Sequence, residues 1–260
     1  MHRLAIAYVA FAMLSMALTS LSHAATCSAE SAAHRVAVLE LYTSEGCNSC
    51  PPADRWLNSL QDRGYETNRV IPLAFHVDYW DYIGWRDRFA HPACSQRQRS
   101  AADRNEASFV YTPQFMFNGL DIRNPWKQGK LSEHLQPINK QPAQFTMHLE
   151  QRTDVKAVHV SLILSNTGTQ RANVYVALFQ NGLHSEIKAG ENAGKKLYHE
   201  HVVREFSNPV AVKPGETLLH KLTIEYPRES NTRQLGLAAF AENAQSGATM
   251  QAMSVPLCVN

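Results

Sequence analysis

The sequence of 260 residues contains few of the residues that mark disordered or fibrous proteins, with only 12 glycines and 12 prolines. Charged residues make up 18% of the chain, and 25 basic side chains nearly balance 23 acidic ones. The sequence therefore lacks the basic excess that is typical of nucleic-acid-binding proteins. We expect no nucleic-acid partner, and any partner must be recognised through a defined site.

After its first 24 residues the sequence also lacks an apolar run long enough to span a membrane. Residues 1–3 include Arg3, residues 4–21 are almost wholly apolar or small, and small residues at 22 and 24 suit a cleavage site. A membrane anchor is the alternative, but no basic cluster follows the run. We predict a signal peptide over residues 1–24, and a mature protein that is periplasmic or secreted and does not remain in the membrane.

The five cysteines are Cys27, Cys47, Cys50, Cys94 and Cys258. Export places them in a compartment where disulfides persist, and their odd number leaves at least one thiol unpaired within the chain. Because the termini of a domain often lie close together, we predict that Cys27 and Cys258 form a structural disulfide. Cys94 would then be the free thiol. The C-x-x-C pair has no second pair at short spacing, so we expect no metal.

The hydrophobic periodicity changes near residue 142. Before that point, strand-like runs at 36–42 and 70–77 alternate with helix-like runs such as 51–63. After it, short runs of period two follow one another without helices between them. We therefore predict an α/β domain over residues 25–142, followed by a β-rich antiparallel sandwich-like domain over residues 143–260.

Residues 40–52 hold the chemistry that the sequence indicates most strongly. A strand leads into a turn at Cys47, and we expect a helix to start at or just after this residue. The positive end of a helix lowers the pKa of a thiol and favours the thiolate. Cys47 would be the exposed nucleophile and Cys50 the buried resolving thiol. The alternative is a structural disulfide that only fastens the start of the helix.

Residues 111–119 contain Pro113 directly before a short strand and a turn. This segment resembles the proline segment of thioredoxins and glutaredoxins, in which the proline is cis and faces the C-x-x-C pair. The resemblance implies that Thr112 offers its backbone to a substrate and that Pro113 packs against the disulfide. The alternative is an ordinary trans proline at the start of an edge strand.

The N-terminal half resembles the thioredoxin-like superfamily. In more detail, residues 41–54, 76–85, 111–114 and 190–194 are similar to an uncharacterised secreted bacterial family, domain of unknown function 1223. The similarity covers nearly the whole mature chain. It implies an α/β thioredoxin-like domain followed by an antiparallel β-sandwich-like domain, and it implies no established activity.

Thioredoxins place a buried carboxylate in the strand before the motif, where it takes the proton of the resolving thiol. The nearest candidate in this sequence is Glu40, seven positions before Cys47, with Glu45 and Asp78 as alternatives. A structural hydrogen bond is an equally good explanation of Glu40.

Aromatic side chains are concentrated in residues 75–89, where Trp80 and Trp85 could line a substrate pocket or form a lid. Packing at a domain interface explains the same density. His76 and Asp78, two positions apart on a strand, could also share a face and bind a metal.

The sequence therefore predicts a secreted thiol–disulfide oxidoreductase that acts on a protein or a small thiol or disulfide and needs no cofactor. The predicted catalytic residues are Cys47, Cys50 and Glu40, and the predicted substrate-binding residues are Thr112, Pro113, Trp80 and Trp85. Two alternatives remain. One is a secreted binding module in which the C-x-x-C is only structural, and the other is a metal-handling protein that uses Cys47, Cys50 and His76.

Overall fold

The computed structural model describes residues 26–127, 129–228 and 230–259. The predicted signal peptide lies outside these residues. Within them, the three α-helices are α1 (Pro51–Asn58), α2 (Pro92–Arg104) and α3 (Lys130–Asn139). The strands of the first half are β1 (Thr26–Glu30), β2 (Ala37–Thr43), β3 (Val70–His76), β4 (Gln114–Phe117) and β5 (Leu120–Asp121). The later strands are β6 (Phe145–Thr153), β7 (Ala157–Asn166), β8 (Ala172–Gln180), β9 (Leu183–Glu186), β10 (Lys196–His199), β11 (Val202–Phe206), β12 (Val210–Val212), β13 (Thr217–Glu225), β14 (Leu235–Asn243) and β15 (Thr249–Pro256).

A nine-stranded sheet organises most of these strands, in the order β15-β14-β8-β11-β3-β2-β4-β5, with β12 paired to β8. Strand β2 pairs in parallel with β3, and β3 pairs in parallel with β11 through Val202 and Ala74. The remaining pairs in this sheet are antiparallel. The sheet therefore contains strands from both the early and the late parts of the chain.

The predicted fold class, an α/β thioredoxin-like domain followed by an antiparallel β-sandwich-like domain, is wrong. Of the described residues, 42% lie in strands and 16% in helices, and the nine-stranded sheet is largely antiparallel, with two parallel pairs. The reason lies at the edge of β3, where β11 adds as a neighbour and connects the early strands to β8 and β14. Short-range periodicity cannot reveal this pairing, because the two strands are distant in sequence.

Helices cover only part of the nine-stranded sheet. One face of β2, carrying Leu39 and Leu41, packs against α1 and α3, and the other face packs against α2. A second sheet of four strands, β1-β6-β7-β13, buries its apolar side chains against β8, β14 and β15. The division of the chain at residue 142 stays a prediction. No helix within the described ranges has the length and apolar character needed to cross a membrane.

Cys27 and Cys258 are joined by a disulfide across a sequence separation of 231. Cys27 lies in β1 and is paired with Gln151 of β6, and the Gln151 side chain accepts the backbone N–H of Cys258 at 3.2 Å. The disulfide therefore joins the first strand of the described chain to the segment that follows its last strand. Cys94 is a buried free thiol, and burial raises its pKa to about 12.

We expect the double substitution Cys27→Ala and Cys258→Ala to lower the free energy of unfolding by about 2–5 kcal/mol. The unfolded chain gains conformational freedom when a long closed loop is opened. Chemical denaturation of both proteins measures the difference. Ser28→Ala, an exposed substitution in the same strand, is the matched control and should change little. An unchanged denaturation midpoint in the double variant would contradict the stabilising role of the bond.

Candidate functional site

The C-x-x-C motif lies in the turn between β2 and α1, and Cys47 and Cys50 form a disulfide. Cys50 is the residue directly before the helix, and Pro51 begins it. Proline suits this position because the first helical turn needs no N–H from it. The helix therefore begins directly after both cysteines, at the start of the helix-like run predicted over residues 51–63, and it ends earlier, at Asn58. The backbone N–H of Cys50 donates to the carbonyl of Cys47 at 3.2 Å, which closes the turn.

Both cysteines are fully buried, with 0% of their surface exposed. The prediction that Cys47 is exposed is therefore wrong for the disulfide form, in which Asn48 and Ser49 are the exposed residues of the motif. The hydroxyl oxygen of Ser49 lies 3.3 Å from the sulfur of Cys47. A thiolate at Cys47 would have this hydroxyl as a hydrogen-bond donor.

A loop from the later half of the chain, Gly190–Gly194, holds the motif turn in place. The side-chain amide of the fully buried Asn192 donates to the carbonyls of Glu45 at 2.8 Å and Cys47 at 2.9 Å. The carboxylate of Glu191 accepts the backbone N–H of Asn48 at 3.2 Å. Sequence reasoning singled out this segment only as part of a family resemblance and gave it no role.

The aromatic segment forms a second boundary of the motif turn. A side chain at Gly46 would lie 3.2 Å from the β-carbon of Trp80, so glycine permits this close approach. The indole N–H of Trp85 donates to the carboxylate of Glu45 at 2.9 Å. Gly190 in turn lies against Trp85, where an added β-carbon would be 3.1 Å from that of the tryptophan. Trp80 and Trp85 are both half-buried beside the motif.

Beside the motif turn the structure buries an acid–histidine cluster, consisting of Glu45, Asp54, His76, Asp87 and His199. Nδ1 of His76 lies 2.7 Å from the carboxylate of Asp87, and Nε2 of His199 lies 3.3 Å from that of Glu45. The two imidazole rings are 4.9 Å apart, centre to centre. The cluster joins β3 and β10 to the motif turn and to α1.

Charges within the acid–histidine cluster determine its protonation. Burial alone would lower the pKa of His76, but the charge and hydrogen bond of Asp87 outweigh it and raise the pKa. Burial alone would raise the pKa of Asp87, and the same contact with His76 lowers it. These two residues therefore form a buried ion pair.

For Asp54, the effect of burial on the pKa outweighs the effect of the neighbouring charges. Burial raises its pKa, and the charges of His199 and His76 offset this only in part. The backbone N–H of Asp54 donates to the carbonyl of Cys50 at 3.1 Å, which places the two residues one helical turn apart. The side chains that act on the carboxyl group of Asp54 are those of His199, His76 and Thr43, so it lies beside the end of β2 and the two histidines of the cluster. Burial therefore favours the protonated form of a carboxyl group on the helix that begins directly after Cys50.

A family model described as protein of unknown function (DUF1223) matches residues 38–242. The chain belongs to the DUF1223 family. The match includes the motif turn, the aromatic segment and the loop at residues 190–194, and it confirms the similarity to domain of unknown function 1223 but not the resemblance to the thioredoxin-like superfamily. No curated protein matches this sequence.

Two solved structures are similar to this DUF1223 protein over most of its length. Protein AGR_C_4864 from Agrobacterium tumefaciens is 26% identical with a TM-score of 0.61, and the similarity covers 86% of this chain and 96% of that one. HBP35 of Porphyromonas gingivalis is 14% identical with a TM-score of 0.63, covering 87% of this chain and 76% of that one. The second similarity concerns the fold alone.

Glu40 does not meet the cysteines of this DUF1223 protein. Leu39 and Leu41 face α1, whereas Glu40 lies on the other face of β2 and accepts hydrogen bonds from Arg97 at 2.5 and 3.0 Å. The hydroxyl of Tyr42 donates to the same carboxylate at 2.5 Å. The assignment of Glu40 as a proton acceptor for Cys50 is therefore wrong, because its carboxylate is part of a separate ion-pair network.

The Thr112–Pro113 peptide bond is cis. Strand β4 starts directly after it, and Gln114 is paired with Tyr42 near the end of β2. Since the motif turn follows β2, the cis bond lies at the same end of the sheet as the cysteines. The hydroxyl of Thr112 is buried and has no hydrogen-bond partner.

The other metal-binding and cavity candidates do not form a site with the cysteines. Asp78 is bonded to Ser95 at 2.5 Å, and His76 is bonded to Asp87 instead. Among the described residues, no group of three or more His, Cys, Asp or Glu side chains could hold a metal ion. A cavity of about 520 Å³ lies between the β4–β5 hairpin and α3, where Asp121 and Lys130 line it, and it includes no motif residue.

Proposed function

We propose that this DUF1223 protein is a thiol–disulfide oxidoreductase that exchanges disulfides through Cys47 and Cys50. The observation that carries the proposal is a disulfide with a sequence separation of 3 in a turn before a helix. In the chain-entropy account, so short a loop stabilises the fold by about 2 kcal/mol, against about 5 kcal/mol for the Cys27–Cys258 loop. The motif disulfide is thus a weak structural link, and exchange chemistry explains its spacing better.

The surroundings of the motif support a reactive sulfur at Cys47. Ser49 provides a hydroxyl 3.3 Å from it, whereas the backbone N–H of Asn48 is bonded to Glu191. A hydroxyl donor stabilises a thiolate over a thiol. Thr112 and Pro113 lie at the same end of the sheet, and Trp80 and Trp85 border the motif turn. We assign these four residues to the surface that receives the substrate.

The exchange starts from the disulfide form. A substrate thiolate attacks the sulfur of Cys47, a substrate–Cys47 disulfide forms, and the Cys47–Cys50 bond breaks. Cys50 leaves as a thiolate and takes a proton from Asp54. A second substrate thiolate then attacks the substrate sulfur, so that the substrate becomes a disulfide and Cys47 leaves as a thiolate. Two electrons pass to the protein, and the reverse steps return them.

We expect Cys50→Ala to accumulate covalent adducts at Cys47, because the thiol that resolves the mixed disulfide is missing. Cys47→Ala should accumulate few adducts, because the hydroxyl of Ser49, which favours a thiolate, lies beside the sulfur of Cys47. Both variants are expressed in cells that export them, so that they meet the other exported proteins. Non-reducing electrophoresis and mass spectrometry then measure the adducts on each variant. Cys94→Ala, which removes the buried free thiol and leaves the motif intact, is the control and should trap nothing. Equal trapping by all three variants would contradict the proposal.

The complete burial of both cysteines favours a second candidate, a secreted binding module in which the motif disulfide is only structural. The reduction potential of the pair separates the two functions. A value above about −280 mV supports exchange, and a value well below −300 mV supports a structural bond. The metal-handling alternative has no ligand group among the described residues, and two of its three side chains are oxidised to a disulfide.

Two disulfides are consistent with a protein that folds in an oxidising compartment. We place this DUF1223 protein in the periplasm or outside the cell, where its substrates are protein or small-molecule thiols and disulfides.

A further inference from the structure

We propose that Glu191 and Asn192 are positioning residues that control access to Cys47 and the reactivity of its sulfur. This inference rests on the proposed exchange function and names the residues that regulate it. It starts from the complete burial of Cys47. A substrate cannot reach this sulfur unless one of the segments around the motif turn moves.

Asn192 fixes the closed arrangement. Its amide nitrogen donates one hydrogen bond to each of two motif carbonyls, at 2.8 and 2.9 Å, and its amide oxygen accepts from the ammonium of Lys195 at 2.8 Å. Both N–H groups of the Asn192 amide therefore donate hydrogen bonds, and its oxygen accepts one, so this fully buried side chain is well satisfied. The side chain therefore connects two loops that are far apart in sequence and holds the motif turn shut.

Glu191 influences the charge state of Cys47 through its own negative charge. Its carboxylate accepts the N–H of Asn48, the first backbone donor after Cys47. The disulfide is neutral and tolerates this carboxylate, but a thiolate at Cys47 is a like charge that needs the same donor. Closure by Glu191 therefore favours the disulfide form, and formation of the thiolate favours opening.

The loop has glycines at both ends that permit such a movement. Gly190 and Gly194 have φ angles of +72° and +82°, a region that other residues rarely adopt. Residues 193 and 194 are exposed, so the loop is not held by packing on its outer side. Opening breaks the contacts of Glu191 and Asn192 with the motif turn and moves Gly190 away from Trp85.

Other charged groups also face the motif turn and belong in any account of its pH dependence. They are Glu45 in the turn itself, Asp54 on α1, His76 and Asp87 around β3, and Lys195 and His199 beside and within β10. Glu191 differs from them because it contacts the N–H that follows Cys47. A substitution at Glu191 therefore tests one charge while the others stay in place.

The charge is tested with Glu191→Gln, which keeps an oxygen acceptor for Asn48 and removes the negative charge. In the reduced protein, we expect the pH midpoint of alkylation at Cys47 to fall by about half a unit, as expected for a like charge at roughly 5 Å in water. Glu216→Gln is the matched control, because its carboxylate also accepts one backbone N–H, that of Lys213 at 2.7 Å. An equal midpoint in wild type, Glu191→Gln and the control would overturn the role of Glu191.

Access is tested with Asn192→Ala, measured as the rate at which dithiothreitol reduces the motif disulfide. We expect the rate to rise about tenfold, the effect of losing two hydrogen bonds that hold the closed form. The control is Asn58→Ala, whose amide also donates to a backbone carbonyl, that of Tyr198 at 2.9 Å. Both variants are used under conditions where denaturation curves show them folded. Equal reduction rates in the two variants would overturn the role of Asn192.

The same data separate this inference from the proposed function. If Glu191→Gln and Asn192→Ala shift as expected but Cys50→Ala traps no adduct, the loop controls a sulfur that does not exchange, and the oxidoreductase function fails alone. If Cys50→Ala traps adducts and neither loop variant differs from its control, the loop inference fails alone.

Discussion

Substituting Arg97 by methionine should lower the free energy of unfolding by about 3–5 kcal/mol, the usual effect of removing one partner from a buried charge network. The guanidinium of Arg97 donates to the carboxylates of Glu40 and Glu242, and all three side chains are buried. Four aromatic rings surround it at 4.9–5.5 Å, those of Phe75, Tyr175, Phe206 and Phe240. Methionine can fill much of this space, but it leaves two carboxylates without a cation.

The pH dependence identifies the cause of the loss. Burial alone would lower the pKa of Arg97, but Glu242 and Glu40 outweigh it, so the arginine stays charged. Burial raises the pKa of Glu242 above its ordinary value, and without Arg97 the charge that opposes this increase is lost, so the pKa in the folded variant lies further above that in the unfolded chain. This contribution to stability is present at low pH and is lost as the pH rises through the folded pKa. The destabilisation by Arg97→Met should therefore shrink as the pH falls towards the ordinary pKa of a glutamate, about 4.3.

The control is Arg99→Met, which replaces an exposed arginine on the same helix. Denaturation curves of the two variants give the comparison. A triple variant that adds Glu40→Gln and Glu242→Gln should recover part of the loss, because it removes the stranded charges. A loss of the same size in Arg99→Met would show that the buried network is not the cause. Glu40→Gln by itself should leave disulfide exchange intact, since its carboxylate is turned away from the cysteines.

The sequence was sufficient for features that depend on short spacings. Two cysteines three positions apart can close a disulfide in one turn, and Pro51 favours the start of a helix directly after them. The pairing of Cys27 with Cys258 followed from the general closeness of chain ends. These predictions needed no knowledge of which strands become neighbours.

The side of the sheet on which Glu40 lies could not be predicted in this way. Alternate residues of a strand point to opposite faces, so Glu40 had to share a face with Tyr42 and not with Leu41. Every residue of β2 is buried, so neither face could be recognised from the sequence as the one beneath the cysteines. The pattern of a strand that is covered on both sides contains no signal for this choice.

The residues of the second half that complete the site were also beyond local reasoning. Asn192 and His199 reach the motif only because β11 adds to β3 and brings the β9–β10 hairpin beside α1. Gly190 and Gly194 indicated a loop, but nothing in the sequence indicated which segment of the chain this loop contacts. Long-range strand pairing decided both the fold class and this half of the site.

Substituting Asp54 by asparagine should slow the exchange reaction about 100-fold at pH 7, within the usual contribution of a general acid or base. Asp54 is buried, lies one helical turn after Cys50, and has a pKa that burial raises above its ordinary value. It can therefore give a proton to Cys50 when the disulfide opens and take it back when the disulfide closes. Asparagine has nearly the same shape and carries no transferable proton.

Stability measurements distinguish this role from simple damage to the fold. The pKa of Asp54 is higher in the folded than in the unfolded chain, so its contribution to stability is present below the unfolded pKa and is lost as the pH rises through the folded pKa. An asparagine side chain at this position does not titrate, so wild type should lose stability relative to Asp54→Asn over this rise in pH. Asp62→Asn, at an exposed site after the same helix, should change neither exchange nor stability. If Asp54→Asn exchanges disulfides as fast as wild type while remaining folded, then water, and not this carboxyl group, carries the proton of Cys50.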